Sequence, residues 1–162
     1  MDIIQEELGQ LHCKIIIFMN KITCSGALFY ALSTKRFLFL HRTKTKTKNL
    51  WGIVGGTNED KETPYTGLLR EVNEELGFNP DIQKSIPLET FVSNDEHFHF
   101  HTYLCVVNEE FIPTLNCEHN GYAWVNFGAW PKPLHNGLQN TLRSKINQNK
   151  LKTIIEVIDI IS

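Results

Sequence analysis

The segment TPYTGLLREVNEELGF, residues 63–78, leaves little choice of local structure. Thr63 suits an N-cap, where its hydroxyl accepts a free backbone N–H, and Pro64 suits the first helical position, where a missing N–H costs nothing. Gly77 is a natural stop, because glycine enters the left-handed region without a Cβ penalty. Between these signals Tyr65, Leu68, Leu69, Val72 and Leu76 recur at helical spacing, which predicts a helix over 64–76 with one buried face. At about 100° per residue, Glu71, Glu74 and Glu75 make a second face centred about 120° from the first. The expected helix packs with one side and presents acid with the other.

Carboxylates at i, i+3 and i+4 repel by a few tenths of a kcal/mol per pair, and no lysine in this turn relieves them. Clustered carboxylate oxygens suit a hard cation such as Mg²⁺ or Mn²⁺, and Mg²⁺ binds few protein carboxylates while keeping waters and substrate phosphates. Taken alone, the same three glutamates would also serve as an ordinary solvated helix face. The flanking residues change that balance. Gly56, Glu62, Arg70, Glu71, Val72, Glu74, Glu75, Gly77 and Phe78 fill the pattern G-x5-E-x7-R-E-U-x-E-E-x-G-U, where U is a bulky apolar residue. Over this stretch the chain resembles the Nudix hydrolase family, with every fixed position matched. Val54 departs from the proline that many members carry before the paired glycines.

The resemblance implies an α/β Nudix fold, an α/β/α sandwich with a mixed sheet and a catalytic loop–helix–loop. It also implies Mg²⁺-dependent hydrolysis of a diphosphate linkage, with Mn²⁺ a possible substitute. Residue by residue, it makes Glu71, Glu74 and Glu75 metal ligands, with the Gly55 carbonyl an additional one, and makes Glu62 and Arg70 orienting residues. A guanidinium beside three acids also makes independent sense, since it pairs a carboxylate bidentately and fixes its rotamer. The catalytic base is expected to be Glu71 or, as runner-up, Glu118 in the segment NCEHNGYAW, which would otherwise serve as a further ligand or stand as an exposed loop charge. Homodimerisation is a family expectation.

The rest of the sequence bounds the setting. A 162-residue chain with 41% hydrophobic residues reads as one domain, 1–162, with a substantial core. A formal charge of −2 gives no broad footprint for long nucleic acid or an anionic membrane. No stretch approaches the roughly 20 apolar residues that span a bilayer, so a cytoplasmic protein is expected. Cys13, Cys24, Cys105 and Cys117 are scattered and read as reduced packing thiols. Residues 14–19, 26–32, 36–42, about 88–93, 97–107 and 122–127 read as strands, and 52–62 and 111–121 as loops. Leu134, Leu138, Leu142 and Ile146 suggest a C-terminal helix despite Gly137, and the tail after Lys150 is ambiguous between helix and strand.

Three further features invite function. EHFHFH, residues 96–101, places His97, His99 and His101 on one strand face, but neighbours about 7 Å apart cannot all reach one ion from a straight strand. A polar strand face, a phosphate or base contact through His99, and a zinc site using two of the three with outside ligands are the readings. Arg42, Lys44, Lys46 and Lys48 precede Trp51, so this basic loop is a candidate for polyphosphate and Trp51 for stacking on a base, against a solvated loop and a core tryptophan. Tyr122, Trp124 and Trp130 read as packing residues.

The function expected is a metal-dependent pyrophosphohydrolase that cleaves a nucleoside triphosphate, or another nucleoside diphosphate derivative, to a nucleoside monophosphate. Nucleotide sugars and dinucleoside polyphosphates are the nearest alternative substrates. A nucleotide-sensing module without turnover is the alternative of a different class.

Overall fold

The strands β1 (Ile22–Ala31) and β2 (Arg36–Arg42) are apolar on both faces, the pattern of strands covered by helices above and below. In the computed structural model, which describes residues 21–43 and 49–161, that is how they sit. The predicted strand at 14–19, Cys13, Lys44, Lys46 and Lys48 lie outside the described residues. The remaining strands are β3 (Trp51–Gly52), β4 (Val54–Thr57), β5 (Ile82–Val92), β6 (Phe98–Val107) and β7 (His119–Asn126). The helices are α1 (Pro64–Leu76), α2 (Asn136–Arg143) and α3 (Lys145–Ile161).

The mixed sheet runs β3-β2-β1-β6-β5, with β4 also paired to β1 and β7 to β2. β1 and β6 are parallel over their full length, from Ile22↔Phe98 to Ala31↔Val107. β1 meets β2 only at Tyr30 and Ala31, and its first half pairs instead with β4, from Cys24↔Thr57 to Ala27↔Val54. The sheet therefore forks: one branch carries Gly55 and Gly56, and the other carries Arg42 opposite His119.

Strand alternation then sorts side chains into two cores. Ala27, Phe29, Ala31, Leu38, Leu40, Val54, Cys105 and Val107 pack under Leu68, Val72 and Leu76 of α1. On the opposite face Leu28, Tyr30, Phe37, Phe39, Leu104 and Val106 pack under Leu138, Leu142, Leu151 and Ile158 of the C-terminal helices, with Leu134 just ahead of them. Each buried aliphatic side chain contributes on the order of 1.5–3 kcal/mol, so three such residues anchor α1 firmly. The result is the expected α/β/α sandwich.

Several local expectations change. The segment read as a loop at 52–62 contains β4, and the loop at 111–121 gives way to β7 at His119. The C-terminal helix breaks at Ser144, whose extended backbone separates α2 from α3. Ile146, expected in the buried row, is 79% exposed as a consequence, and the ambiguous tail is helical. Trp124 and Trp130 pack as expected, Trp124 donating from Nε1 to the Phe111 carbonyl and Trp130 lying against Phe37 and Phe39. Tyr122 is 38% exposed. Cys24 and Cys105 are buried free thiols, and Cys117 is exposed.

Candidate active site

The local geometry of α1 follows its sequence closely. Thr63 Oγ1 accepts from Thr66 N at 3.1 Å, and Thr66 Oγ1 takes the Thr63 N–H in return at 2.9 Å, which completes a capping box. Pro64 opens the helix and Gly77, at φ 74°, closes it. Its two faces differ from the expectation, however. Tyr65 and Leu69 sit at the exposed margin, while Glu75 is only 3% exposed and joins the packed side between Val72 and Leu76. The apolar spacing gave the correct period but misplaced the margin of the buried arc.

What admits Glu75 is the glycine pair of β4. Gly55 N donates to Glu75 Oε2 at 2.8 Å. At φ 147° a Cβ on Gly55 would lie 2.1 Å from the Ser25 carbonyl oxygen, so only glycine keeps this backbone against β1. A Cβ on Gly56 would lie 2.7 Å from the Glu71 carboxyl atoms. Two helix carboxylates thus rest against two consecutive glycines.

Arg70 organises the outer side. Its Nε donates to Glu62 Oε1 at 3.0 Å, Nη2 to Glu62 Oε2 at 3.2 Å and to the Thr57 carbonyl at 2.9 Å, and Nη1 to Glu71 Oε1 at 2.9 Å. Nη1 also reaches both Glu74 oxygens at 3.2 Å, and Glu59 stands 3.9 Å from Nε. The guanidinium thus also pairs with Glu74, which is exposed. Glu62, held by Arg70 and by the Glu59 N–H, stays below the usual carboxylate range.

The inner carboxylates behave oppositely. Burial raises the Glu71 carboxyl, and Glu74 and Glu118 raise it further against the pull of Arg70. Burial pushes Glu75 up to about 8, with Glu71 and Glu118 adding to the rise and the Gly55 N–H and Arg42 opposing it. Charge on Glu118 therefore adds to the cost of ionising Glu71, and charge on Glu71 and Glu118 adds to that of Glu75. This is a donor set that a divalent cation would relieve, although among the described residues no three carboxylate, imidazole or thiol groups are already drawn together in metal-binding geometry.

The other branch of the fork supplies positive and neutral groups. Arg42 faces the Glu75 side electrostatically, and its Nε is buried with no hydrogen-bond partner among the described residues. His119, at 6% exposure, lies with its Nε2 3.8 Å from Glu75 Oε1, and burial with the Arg42 and His41 charges lowers it to about 4. It is neutral at neutral pH, so this contact is not an ion pair. His119 and its partner Asn116 were not singled out from the sequence; the only signal was the adjacency of His119 to Glu118. Trp51 packs on His41 at 4.9 Å between ring centroids and against the helical core. His99 and His101 lie on the α1 face of the sheet, held by the Glu96 carbonyl and Thr90 Oγ1. Lys44 is outside the described residues.

Comparison with known proteins places this arrangement. The NUDIX domain family model matches residues 21–144. A dihydroneopterin triphosphate diphosphatase of Haemophilus influenzae is 33% identical over 114 residues, covering 61% of this chain and 70% of that protein. Among solved structures, a Nudix hydrolase of M. smegmatis, RenU, superposes with a TM-score of 0.65 at 17% identity, covering 85% of this chain and 88% of that one. A MutT NUDIX hydrolase of Burkholderia pseudomallei gives 0.59 at 19% identity, covering 76% and 97%.

Proposed function

Because the chain belongs to the Nudix hydrolase family, we propose that it is a metal-dependent pyrophosphohydrolase acting on the triphosphate of a nucleoside or of a related fused heterocycle such as a pterin. The products are the monophosphate and pyrophosphate. The observation that carries this reading is the pair of buried carboxylates, Glu71 and Glu75, held against the Gly55–Gly56 backbone, both raised first by burial and then by the charge of Glu118. Identity to the Haemophilus diphosphatase supports a triphosphate over a sugar conjugate.

Glu71, Glu74, Glu75 and Glu118, with the Gly55 carbonyl, would hold the ion. When bound, Mg²⁺ or Mn²⁺ supplies charge neutralisation at the phosphate oxygens around the anhydride. The protein's own part begins with Glu71. As general base its carboxylate takes the proton as the water oxygen forms its bond to phosphorus. The bridging P–O bond breaks and its electron pair leaves with pyrophosphate. Arg70 fixes the Glu71 rotamer through Nη1, and Glu62 fixes Arg70 through two hydrogen bonds, so these are positioning residues. Arg42, unpaired at Nε beside the buried acid, is the described cation best placed for a phosphate oxygen.

The test is a panel of nucleoside, pterin and dinucleoside polyphosphates and nucleotide sugars, with and without Mg²⁺, products resolved by phosphorus NMR, beside Glu71→Gln. Metal-dependent release of pyrophosphate from a triphosphate, lost in the variant, is expected. Nucleotide binding without metal-dependent turnover would replace the enzyme with a sensing module.

A further inference from the structure

Asn116 Oδ1 accepts the Glu118 backbone N–H at 3.0 Å, which identifies that atom as the amide oxygen. The same oxygen lies 3.3 Å from His119 Nδ1, so Nδ1 carries the ring proton and the Nε2 lone pair is free. Nε2 points at Glu75 Oε1, 3.8 Å away, with side-chain exposures of 1% and 4%. Glu75 spends its other oxygen, Oε2, on the Gly55 N–H. Two acceptors thus face each other inside the protein, at a separation too long for a hydrogen bond. Without a metal the proton that Glu75 retains relieves this contact; a cation that displaces it fits the same gap, since donors each about 2.1 Å from one ion lie up to about 4.2 Å apart.

We propose that His119 Nε2 is an imidazole ligand of the metal that Glu75 holds, and that this nitrogen makes the site prefer a first-row transition ion such as Mn²⁺ over Mg²⁺. The inference rests on the metal-dependent reading above. Mg²⁺ demands oxygen donors, whereas imidazole nitrogen suits the transition ions. The second requirement of a ligating histidine, a hydrogen-bond acceptor that fixes the opposite ring nitrogen, is met by Asn116.

Pulsed EPR of the Mn²⁺-loaded full chain tests this without reference to turnover. Nitrogen modulation from ¹⁴N is expected, converting to ¹⁵N modulation in protein grown on ¹⁵N-histidine, which needs no mutation. His119→Gln should abolish it and weaken Mn²⁺ binding about tenfold or more by titration, with a smaller effect on Mg²⁺, while His135→Gln should leave it intact. Mn²⁺ bound with no histidine modulation, or with modulation that survives His119→Gln, overturns the proposal and leaves the carboxylate site standing. Failure to bind Mn²⁺ at all overturns both.

Discussion

Replacing Glu75 by glutamine should change how the metal-free protein responds to pH. The folded Glu75 carboxyl sits at about 8 against 4.5 for the free group, so between those values the folded state holds the proton more tightly and stability falls as pH rises. His119 acts in the opposite sense, because its folded value of about 4 lies below 6.5 and stability rises with pH between them. Up to pH 6.5 the two slopes largely cancel. Above it only Glu75 titrates, and at about 1.4 kcal/mol per pH unit the wild type should lose about 2 kcal/mol between pH 6.5 and 8. Glutamine keeps an oxygen for the Gly55 N–H and has no proton to lose. Urea denaturation in EDTA at fixed pH values should therefore show a decline in the wild type and a flat profile in Glu75→Gln over this interval. Below pH 6.5 the variant should show the rising His119 slope unmasked. Parallel profiles above pH 6.5 would refute the assignment of that strain to Glu75.

Gly56→Ala drives a methyl group into the Glu71 carboxyl, and kcat should fall on the order of a hundredfold while the thermal midpoint moves little. Arg70→Lys cannot serve Glu62, Glu71, Glu74 and the Thr57 carbonyl from one ammonium; a kcat loss of about 10–100-fold, with KM nearly constant, is the expected steady-state result. Asn147→Ala removes the amide that holds Glu89 Oε1 at 2.7 Å and the Thr141 carbonyl at 3.1 Å where α2 gives way to α3. Denaturant titration should register about 1–3 kcal/mol of lost stability with kcat unchanged.

Much of this molecule is local. The helix, its caps and its stop were legible because Thr63, Pro64 and Gly77 act through bonds to their own neighbours. The strands of the sheet centre were legible for a related reason: a run apolar on both faces has no stable place except between two layers. Short strands were not. Val54–Thr57 is rich in glycine and has no pattern of its own, and it is a strand only because β1 lies beside it. The break at Ser144 was equally hidden, since Leu134, Leu138, Leu142 and Ile146 keep an uninterrupted spacing across it.

The box residues and their order were set by the sequence, and so was the expectation that acids on one helix need a cation. Which acid is buried was decided by how α1 is rotated against the sheet, and that rotation depends on Gly55 lying against Ser25, 30 positions before it in the chain. Helical period gives the angles between side chains but not the zero of rotation. His119 belongs with Glu75 for the same reason: β7 pairs with β2 and α1 packs on β1 and β4, so residues remote in sequence meet at the fork in the sheet. Residue type decides what each side chain can do; only the tertiary arrangement brings the His119 imidazole to the Glu75 carboxyl.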